Sequence, residues 1–254
     1  MTKVLNNLGY NPDLKIWQDK SMFNYSVDTI LLGNFIDLGK KIKRACEVGA
    51  NNGALSIFVA HRDSKLQIDA IEINKKAINL AKENVVLNDK QSQINVIEAD
   101  FNDFWKEHNA RVGQKYHLVF ANPPYYKMDT KIIKNVSDEI KRAIYEVDLT
   151  LEELIVGAGK ILDQKGKLAL VLPIERYVDL LELLRLHKFE PKKTQFVAPR
   201  LGEAPKFVLV QAEFASSWGG HYLPILYLHP KDKTKHVYRK EIQKLYVCKK
   251  VKNG

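Results

Sequence analysis

The sequence predicts an α/β protein whose mostly parallel, seven-stranded sheet carries helices on both faces. Three observations support this fold class. From Arg44 onward, short apolar runs alternate with helix-length segments, which is typical of strand–helix–strand units. A glycine-containing loop follows the first of these runs, and a polar segment with two prolines follows the fourth. Ligands of open α/β sheets bind outside the carboxyl ends of the strands, where we expect both segments to lie.

The N-terminal region is less regular. Alternation at Leu14 and Ile16 predicts a short strand or a hairpin. The apolar positions of the next segment share one helical face, which predicts a helix with Ser26 as its N-cap; they are Val27, Ile30, Leu31 and Phe35.

The core strands are predicted at Ala45–Val48, Gln67–Ile73, Ile94–Ala99, Tyr116–Ala121, Lys167–Leu172, Thr194–Ala198 and Phe207–Phe214. Helices are predicted at Ala54–His61, Lys75–Leu87, Leu149–Leu162 and Arg176–His187. The segment Gln164-Lys165-Gly166-Lys167 predicts a helix-to-strand turn. Tyr222–Leu228 is predicted as an edge strand, because Pro224 lacks the N–H that a central strand needs.

We expect one domain over residues 1–254, with a cap or lid segment at 1–43, a core at 44–216 and a basic C-terminal segment at 217–254. The hydrophobic content of 45% is enough for a sizeable core. No apolar run is long enough to cross a bilayer, and the N-terminus has no apolar signal core. The two cysteines suggest neither a disulfide framework nor a metal site. We therefore expect a cytoplasmic protein, monomeric, without a membrane or metal partner.

The charge of the chain favours a polyanionic partner. The net charge is +10 and the pI is near 9.3. Between Lys231 and Lys252, lysines and arginines outnumber acids by nine to two, and Tyr238 and Tyr246 are interleaved with them. A solvated helix with a like-charged outer face is the alternative explanation. The pattern favours nucleic acid, because phosphate contacts dominate nucleic-acid affinity.

The loop after the first core strand reads Glu47-Val48-Gly49-Ala50-Asn51-Asn52-Gly53. It partly fits the dinucleotide pattern G-x-G-x-x-G/A and partly the pattern acid-x-G-x-G-x-G of S-adenosylmethionine enzymes, and an ordinary αβ loop stays open as well. Glu47 favours the second pattern, because a carboxylate can pair with the methionine ammonium but would repel a pyrophosphate. Asn51 stands where a second glycine is usual, and Asn tolerates left-handed geometry better than most residues.

Acids also end the next two strands. Glu72, 19 residues after Gly53 (72 − 53), can accept both hydroxyls of a ribose. Asp100 and its flanking amides are placed to meet an adenine edge. Asp28 is a further candidate near the cofactor, although an ordinary early-helix acid explains it equally well. These strand ends predict an adenosine-containing cofactor.

The segment Asn122-Pro123-Pro124-Tyr125 follows the strand that ends near Ala121. Proline fixes φ near −65° and removes an N–H, so few local donors compete for Asn122 and the neighbouring carbonyls. A proline-rich turn that closes a strand would explain the two prolines alone. Asn-Pro-Pro-Tyr as a unit is far more specific.

Together, Glu47–Gly53, Glu72, Asp100 and Asn122–Tyr125 resemble the Rossmann-like S-adenosylmethionine-dependent methyltransferases that modify exocyclic amino nitrogens. This resemblance covers most of Arg44 to Phe214. A closer resemblance to the bacterial tRNA1(Val) adenine-N6 methyltransferase family is carried by Phe23–Leu32, Glu139–Glu146, Tyr238, Glu241 and Tyr246. Glu47 and Asn51 depart from that family's pattern, in which many members have Asp and Gly.

The resemblance implies S-adenosylmethionine as cofactor and tRNA as partner, with methylation of N6 of the adenosine just 3′ of the anticodon, position 37. It implies a catalytic segment at Asn122, Pro123, Pro124 and Tyr125, in which the Asn122 oxygen and the Pro123 carbonyl accept from the amine and Tyr125 stacks on the base. The cofactor candidates are Asp28, Glu47, Gly49, Asn51, Gly53, Glu72, Ile73, Asp100, Phe101 and Asn122. The tRNA candidates are Tyr125, Tyr126, Lys127, Lys131, Arg142, Lys235, Arg239 and Lys240.

The alternatives are methylation of an adenine in rRNA or DNA, methylation of a release-factor glutamine, and a non-catalytic RNA-binding protein. The basic C-terminal segment argues against the release factor, and no separate target-recognition domain for DNA is visible in the sequence. Retention of Asn122 and Pro123 argues against binding alone, which does not need them.

Overall fold

The computed structural model describes residues 3–22, 24–110, 114–123 and 148–250. The elements, in chain order, are β1 (Lys3–Asn7), β2 (Lys15–Asp19), α1 (Val27–Phe35), β3 (Arg44–Val48), α2 (Ala54–Arg62), β4 (Gln67–Glu72), α3 (Lys75–Leu87), β5 (Ile94–Glu98), α4 (Phe101–Ala110), β6 (Tyr116–Ala121), α5 (Leu151–Ile161), β7 (Leu162–Pro173), α6 (Tyr177–Leu186), β8 (Phe189–Ala198), β9 (Phe207–Phe214), β10 (His221–Tyr222), β11 (Leu226–Tyr227) and α7 (Lys240–Leu245). A 3-10 turn at Ile174–Arg176 precedes α6. Within the described ranges, no helix has the length and apolar character needed to span a membrane.

Among the described residues, the central sheet has nine strands in the order β10-β8-β9-β7-β6-β3-β4-β5, and β11 also pairs with β8. Strand β9 is antiparallel to β7 and β8, and the other pairs are parallel. The predicted α/β class is confirmed. All seven predicted core strands are present. The count of seven is corrected, because two short strands, β10 and β11, also join the sheet. They take the place of the single edge strand expected at Tyr222–Leu228. Pro224 lies between them and cannot donate to a ladder.

The predicted turn at Gln164–Lys167 is also corrected. Strand β7 already begins at Leu162, and these residues form an irregularity inside it. The register with β6 shifts between the pairs Tyr116↔Leu162 and Leu118↔Lys167, and Lys165 has a φ of +63°. A residue such as Lys165 in left-handed geometry can serve a turn or a bulge, so the local pattern did not distinguish the two.

Helix α4 was not predicted. Its residues Phe104 and Trp105 pack against the core on one face of the sheet. The close approach of α5 depends on Gly157, where an added Cβ would lie 2.6 Å from the rings of Phe101 and Trp105. Helix α4 therefore connects β5 to β6 and covers the sheet beside α5.

The N-terminal strands β1 and β2 form an antiparallel hairpin, which was one of the two predicted possibilities, a short strand or a hairpin. Asn84 of α3 and Asn88, the C-cap residue of that helix, hold the hairpin by pairing with the backbone of β2. The Asn84 side chain accepts from the Trp17 N–H at 2.7 Å and donates to the Trp17 carbonyl at 3.0 Å. Asn88 makes the same pair of bonds with Lys15. The amides thus substitute for a neighbouring strand and satisfy backbone groups that would otherwise be unpaired.

Side chains alternate between two cores, one on each face of the sheet. Ala45 of β3 belongs to one core, while its neighbour Cys46 belongs to the other. The first core also contains Leu14 of the N-terminal region, Phe58 of α2 and Ile242 of α7. Both chain ends therefore bury side chains against the central region, and the proposed division into cap, core and basic segment stays a prediction.

Helix α1 packs closely on α2, and this contact sets its position beside the sheet. A Cβ added to Gly33 would lie 2.6 Å from a ring carbon of Phe58, which is fully buried. Arg62 reinforces the contact by donating to the carbonyls of Gly33 and, at 2.8 Å, Ile36. The C-terminal end of α1 is therefore held against α2.

We predict that Gly33→Ala lowers the free energy of unfolding by roughly 1–2 kcal/mol, because overpacking of a filled core outweighs the gain in helix propensity. Gly39→Ala is the matched control, since its Cβ would meet no atom within 4 Å. Urea titration of both variants measures the difference. A Gly33→Ala protein as stable as the wild type would show that α1 and α2 can separate at little cost.

Candidate active site

A single reversal of strand order positions the candidate site. The chain passes from β3 to β4 and β5 on one side, and then to β6 and β7 on the other. Such a reversal opens a crevice at the carboxyl ends of the strands. A cavity lies there, lined by these predicted residues: Glu47, Gly49, Asn51, Glu72, Ile73, Asp100, Phe101, Asn122 and Pro123.

The loop after β3 forms one side of this cavity in left-handed geometry. Gly49 has a φ of +72° and Asn51 has a φ of +48°. Asn51 therefore adopts the geometry for which a second glycine is usual, as the sequence led us to expect. The backbone N–H groups of Gly49 and Ala50 both donate to the Ile71 carbonyl at 3.0 Å, which fixes the loop against β4. Gly53 does not line the cavity; it is the N-cap of α2.

Glu72 is held rigidly at the end of β4. One oxygen accepts from the Asn51 N–H at 2.8 Å, and the other accepts from Ile73 at 2.9 Å and Asn74 at 2.8 Å. Burial raises the pKa of Glu72, and these backbone donors oppose the rise. Its carboxylate borders the cavity in a fixed orientation. A carboxylate oxygen offers more than one lone pair, so Glu72 can also accept from a ligand.

Glu47 is buried at the end of β3, with only 3% of its surface exposed. Its carboxyl accepts a hydrogen bond from the Ser56 hydroxyl. Burial raises the pKa of Glu47 to about 8, while the bonds to Ser56 oppose the rise. At neutral pH the side chain therefore prefers to be protonated, and a cation bound beside it would restore the charged form.

Asn52 is a cavity residue that sequence reasoning missed. It is 3% exposed, and its Oδ1 accepts from the Ala54 N–H at 3.3 Å. Its Nδ2 has no hydrogen-bond partner among the described residues. A buried donor left unpaired costs about 1–3 kcal/mol, which an acceptor on a bound ligand would recover. The only signal in the sequence was its place between Asn51 and Gly53.

Asp100 follows β5 and turns the chain into α4. Its Oδ1 accepts from the Asn102 N–H at 2.7 Å, and its carbonyl accepts from the Phe104 N–H at 2.9 Å. The cavity thus carries carboxylates from three successive strand ends and a buried amide donor. These three acceptors and one donor fit a ligand that combines an amino acid with an adenosine.

Other cavity residues were not predicted, among them Tyr25, Asn74 and Asp148. Asn74 caps α3 by accepting from the backbone of Lys76 and Ala77, a capping pattern that its position after a predicted strand could have indicated. Tyr25 donates to the Asn7 carbonyl at 2.7 Å and joins the hairpin to the cavity wall. No periodic pattern marked Tyr25 or Asp148.

Asn122 directly follows β6 at the cavity wall, and its Nδ2 donates to Oδ2 of Asp28 at 3.2 Å. Asp28 itself is not among the residues that line the cavity. The prediction that Ser26 is the N-cap residue of α1 is confirmed; its hydroxyl donates to Asp28 and makes no capping hydrogen bond to the helix backbone. Six further predicted site residues lie outside the described residues: Pro124, Tyr125, Tyr126, Lys127, Lys131 and Arg142.

The remaining predicted residues, Lys235, Arg239 and Lys240, lie in the C-terminal segment and do not line the cavity. Arg239 pairs with Glu241 at 2.5 Å, and its guanidinium lies 5.9 Å from the centre of the Tyr227 ring. Within the described parts of the chain, no group of three or more His, Cys, Asp or Glu side chains could hold a metal ion.

The C-terminal segment is anchored rather than free. Ile242 is fully buried, and the Tyr246 carbonyl accepts from the Tyr10 N–H at 2.8 Å and from the Asn11 side chain at 3.1 Å. The Cys248 N–H donates to Asn11 Oδ1 at 2.7 Å. Lys240 and Lys244 are therefore presented from a helix whose buried face is held against the rest of the protein.

Comparisons with known proteins agree with this geometry. The model of the methyltransferase small domain family matches residues 14–190. The chain is 30% identical over 194 residues to the tRNA1(Val) (adenine(37)-N6)-methyltransferase of Tolumonas auensis, covering 76% of this chain and 77% of that protein. It is 27% identical to the protein of the same name from Parabacteroides distasonis, covering 77% of this chain and 79% of that protein. In fold, it is similar to the crystal structure of a predicted O-methyltransferase from Agrobacterium tumefaciens, with a TM-score of 0.66, 20% identity, and coverage of 89% of this chain and 99% of that chain.

The raised pKa of Glu47 predicts a pH-dependent effect of Glu47→Gln on stability. The pKa of about 8 in the folded state exceeds the ordinary value of 4.5, so unfolding releases a proton between these values and wild-type stability falls as the pH rises through them. Glutamine does not titrate, so the stability of Glu47→Gln does not fall with pH for this reason. Relative to the wild type, the variant should gain a few kcal/mol of unfolding free energy between about pH 5 and about pH 8.

Guanidinium titrations of the ligand-free protein at several pH values measure this gain. Glu83→Gln is the control for loss of a carboxylate, because Glu83 pairs with Lys3 at the surface. Parallel stability profiles of Glu47→Gln and the wild type would contradict the prediction.

Proposed function

Because the chain belongs to the methyltransferase small domain family and, within it, to the tRNA1(Val) (adenine(37)-N6)-methyltransferases, we propose that it methylates N6 of adenosine 37 in tRNA1(Val). The chain is a methyltransferase, and S-adenosylmethionine is its cofactor. The observation that carries the choice of an amino acceptor is the Asn122 amide at the cavity wall, with its nitrogen bound to Asp28. We expect the enzyme to work in the cytoplasm.

The residues around the cavity suit the parts of the cofactor. S-adenosylmethionine supplies an electrophilic methyl group on a sulfonium. We expect Glu72 to accept from the ribose hydroxyls and Asp100, with Phe101, to meet the adenine. Glu47 would pair with the methionine ammonium, which stabilises its charged form. Asn52 would donate to the methionine carboxylate and so satisfy its buried Nδ2.

Asn122 and Pro123 would prepare the acceptor. The lone pair of an adenine N6 is delocalised into the ring, which makes the amine a poor nucleophile. Hydrogen bonds from its two N–H groups to the Asn122 Oδ1 and the Pro123 carbonyl favour a pyramidal nitrogen and aim its lone pair at the methyl group. The proton can leave after methyl transfer, so no strong general base is required.

The basic C-terminal segment supports tRNA as the partner. Strand β11 pairs with Val197 and Ala198, the last residues of β8, and the Leu228 N–H donates to the Ala198 carbonyl. Strand β8 runs in the same direction as β6, because β6 is parallel to β7 and both β7 and β8 are antiparallel to β9. The segment after β11 therefore leaves the sheet at the same edge as the cavity. The lysines and arginines of this segment can bind phosphates of the tRNA while the target adenine enters the cavity.

Methyl transfer from labelled S-adenosylmethionine to separate tRNA, rRNA, DNA and protein fractions tests the function. We expect N6-methyladenosine in tRNA alone, and none in tRNA1(Val) that carries guanosine at position 37. Asn122→Ala should bind the cofactor normally and lose at least about 100-fold in transfer rate. Label in the protein or DNA fraction, or near wild-type turnover of Asn122→Ala, would contradict the proposal.

Replacement of Lys235, Arg239 and Lys240 by Ala should weaken tRNA binding about tenfold or more and reduce the slope of log affinity against log salt by about 2–3, because each lost phosphate contact removes released counterions. The matched control replaces Lys41, Lys43 and Lys65, three exposed lysines before β3 and β4 at the opposite edge of the sheet. Binding measured by fluorescence anisotropy over a salt series compares the two. Equal slopes for the two triple variants would exclude this segment as the docking surface.

A further inference from the structure

The Asp28 carboxylate is a buried group to which the mechanism above gives no task. It lies in the first turn of α1 and is 3% exposed. It accepts from Nδ2 of Asn122, a residue 94 positions away in the sequence, at 3.2 Å. Asp28 is not among the residues that line the cavity, whereas Asn122, to which it is bonded, is one of them.

The other oxygen of Asp28 is fixed by its own helix. Oδ1 accepts from the Thr29 N–H at 2.8 Å and from the Ser26 hydroxyl. A backbone N–H can only donate, so the atom in the Oδ1 position must be an acceptor. Helix α1 is held in turn by Arg62, which donates to the carbonyls of Gly33 and, at 2.8 Å, Ile36. The fold therefore sets the position of Asp28.

An asparagine side chain has nearly the same shape in its two flipped orientations, which exchange a donor for an acceptor. A carboxylate can only accept, so Asp28 selects the orientation in which Nδ2 faces it and Oδ1 faces the other way. In the reverse orientation, an NH₂ group would meet the N–H donors of the target amine. We propose that Asp28 is a positioning residue that fixes the Asn122 amide with its oxygen toward the amine; this inference rests on the proposed function.

The substitution Asp28→Asn tests the proposal with little change of shape. Because the Thr29 N–H requires an acceptor, the new NH₂ group takes the place of Oδ2 and meets the NH₂ group of Asn122, donor against donor. Asn122 must then flip or move. We expect kcat to fall about 100-fold, the cost of misplacing one preorganised hydrogen bond, with the KM for tRNA and the Kd for S-adenosylmethionine changed less than about threefold.

The exchange variant, which combines Asp28→Asn with Asn122→Asp, supplies the rescue. The amide introduced at position 28 would donate to the carboxylate introduced at position 122, and the second oxygen of that carboxylate would again accept from the amine. We expect the exchange variant to recover most of the lost kcat, whereas Asn122→Asp alone would place two carboxylates face to face and stay impaired.

Asn34→Ala controls for a loss of stability alone, since it removes the bond from Asn34 to the Leu245 carbonyl, 2.7 Å long, at the end of α1 away from Asp28 and does not touch Asn122. It should lower stability and leave kcat within about twofold. Wild-type kcat in Asp28→Asn, or an exchange variant no better than Asp28→Asn, would overturn the proposal. The rates are measured on whichever fraction accepts the methyl group, so failure of tRNA as substrate would refute the proposed function and still leave the role of Asp28 decided.

Discussion

The turn of the loop after β3 onto the end of β4 is the constraint on which the rest of the site depends. Gly49 and Ala50 share the Ile71 carbonyl, and Asn51 donates to Glu72. This turn requires left-handed backbone, which only glycine and a few polar residues adopt readily. It places the start of α2, the Glu72 carboxylate and the buried Asn52 amide around one cavity. A change in the turn would displace all three together.

Residues far apart in the sequence hold this loop in place. Asn84 of α3 donates to the Asn52 carbonyl at 2.9 Å and also binds the backbone of Trp17. The hairpin that carries Trp17 is joined at its turn to the C-terminal segment through Asn11. Both ends of the chain thus support the cavity through buried side-chain amides. Such amides are effective supports because every unpaired donor or acceptor would be costly in the interior.

The sequence predicted an element correctly where the residues that determine it are neighbours in the chain. Strand-length apolar runs, the glycine loop and the acids at strand ends are such patterns, and all seven core strands are present. The sequence was insufficient where local structure depends on a strand or side chain that is distant in the chain or packed alongside. The turn at Gln164–Lys167 became an irregularity of β7 because β6 pairs with residues on both sides of it. Ser26 is the N-cap residue of α1, as predicted, but only the structure shows that its hydroxyl donates to Asp28 and makes no capping bond to the helix.

The sequence by itself determined which polar side chains stand at the carboxyl ends of which strands, and parallel pairing then brings those ends together. It also determined the resemblance to an amino-methyltransferase family. Only the tertiary structure decided that Glu47 is buried with a raised pKa, that Asn52 has an unsatisfied donor and that Asp28 faces Asn122. The physical reason is that desolvation and hydrogen-bond partners depend on every group packed around a side chain. Residues 94 positions apart have no common pattern in the sequence that would reveal such a contact.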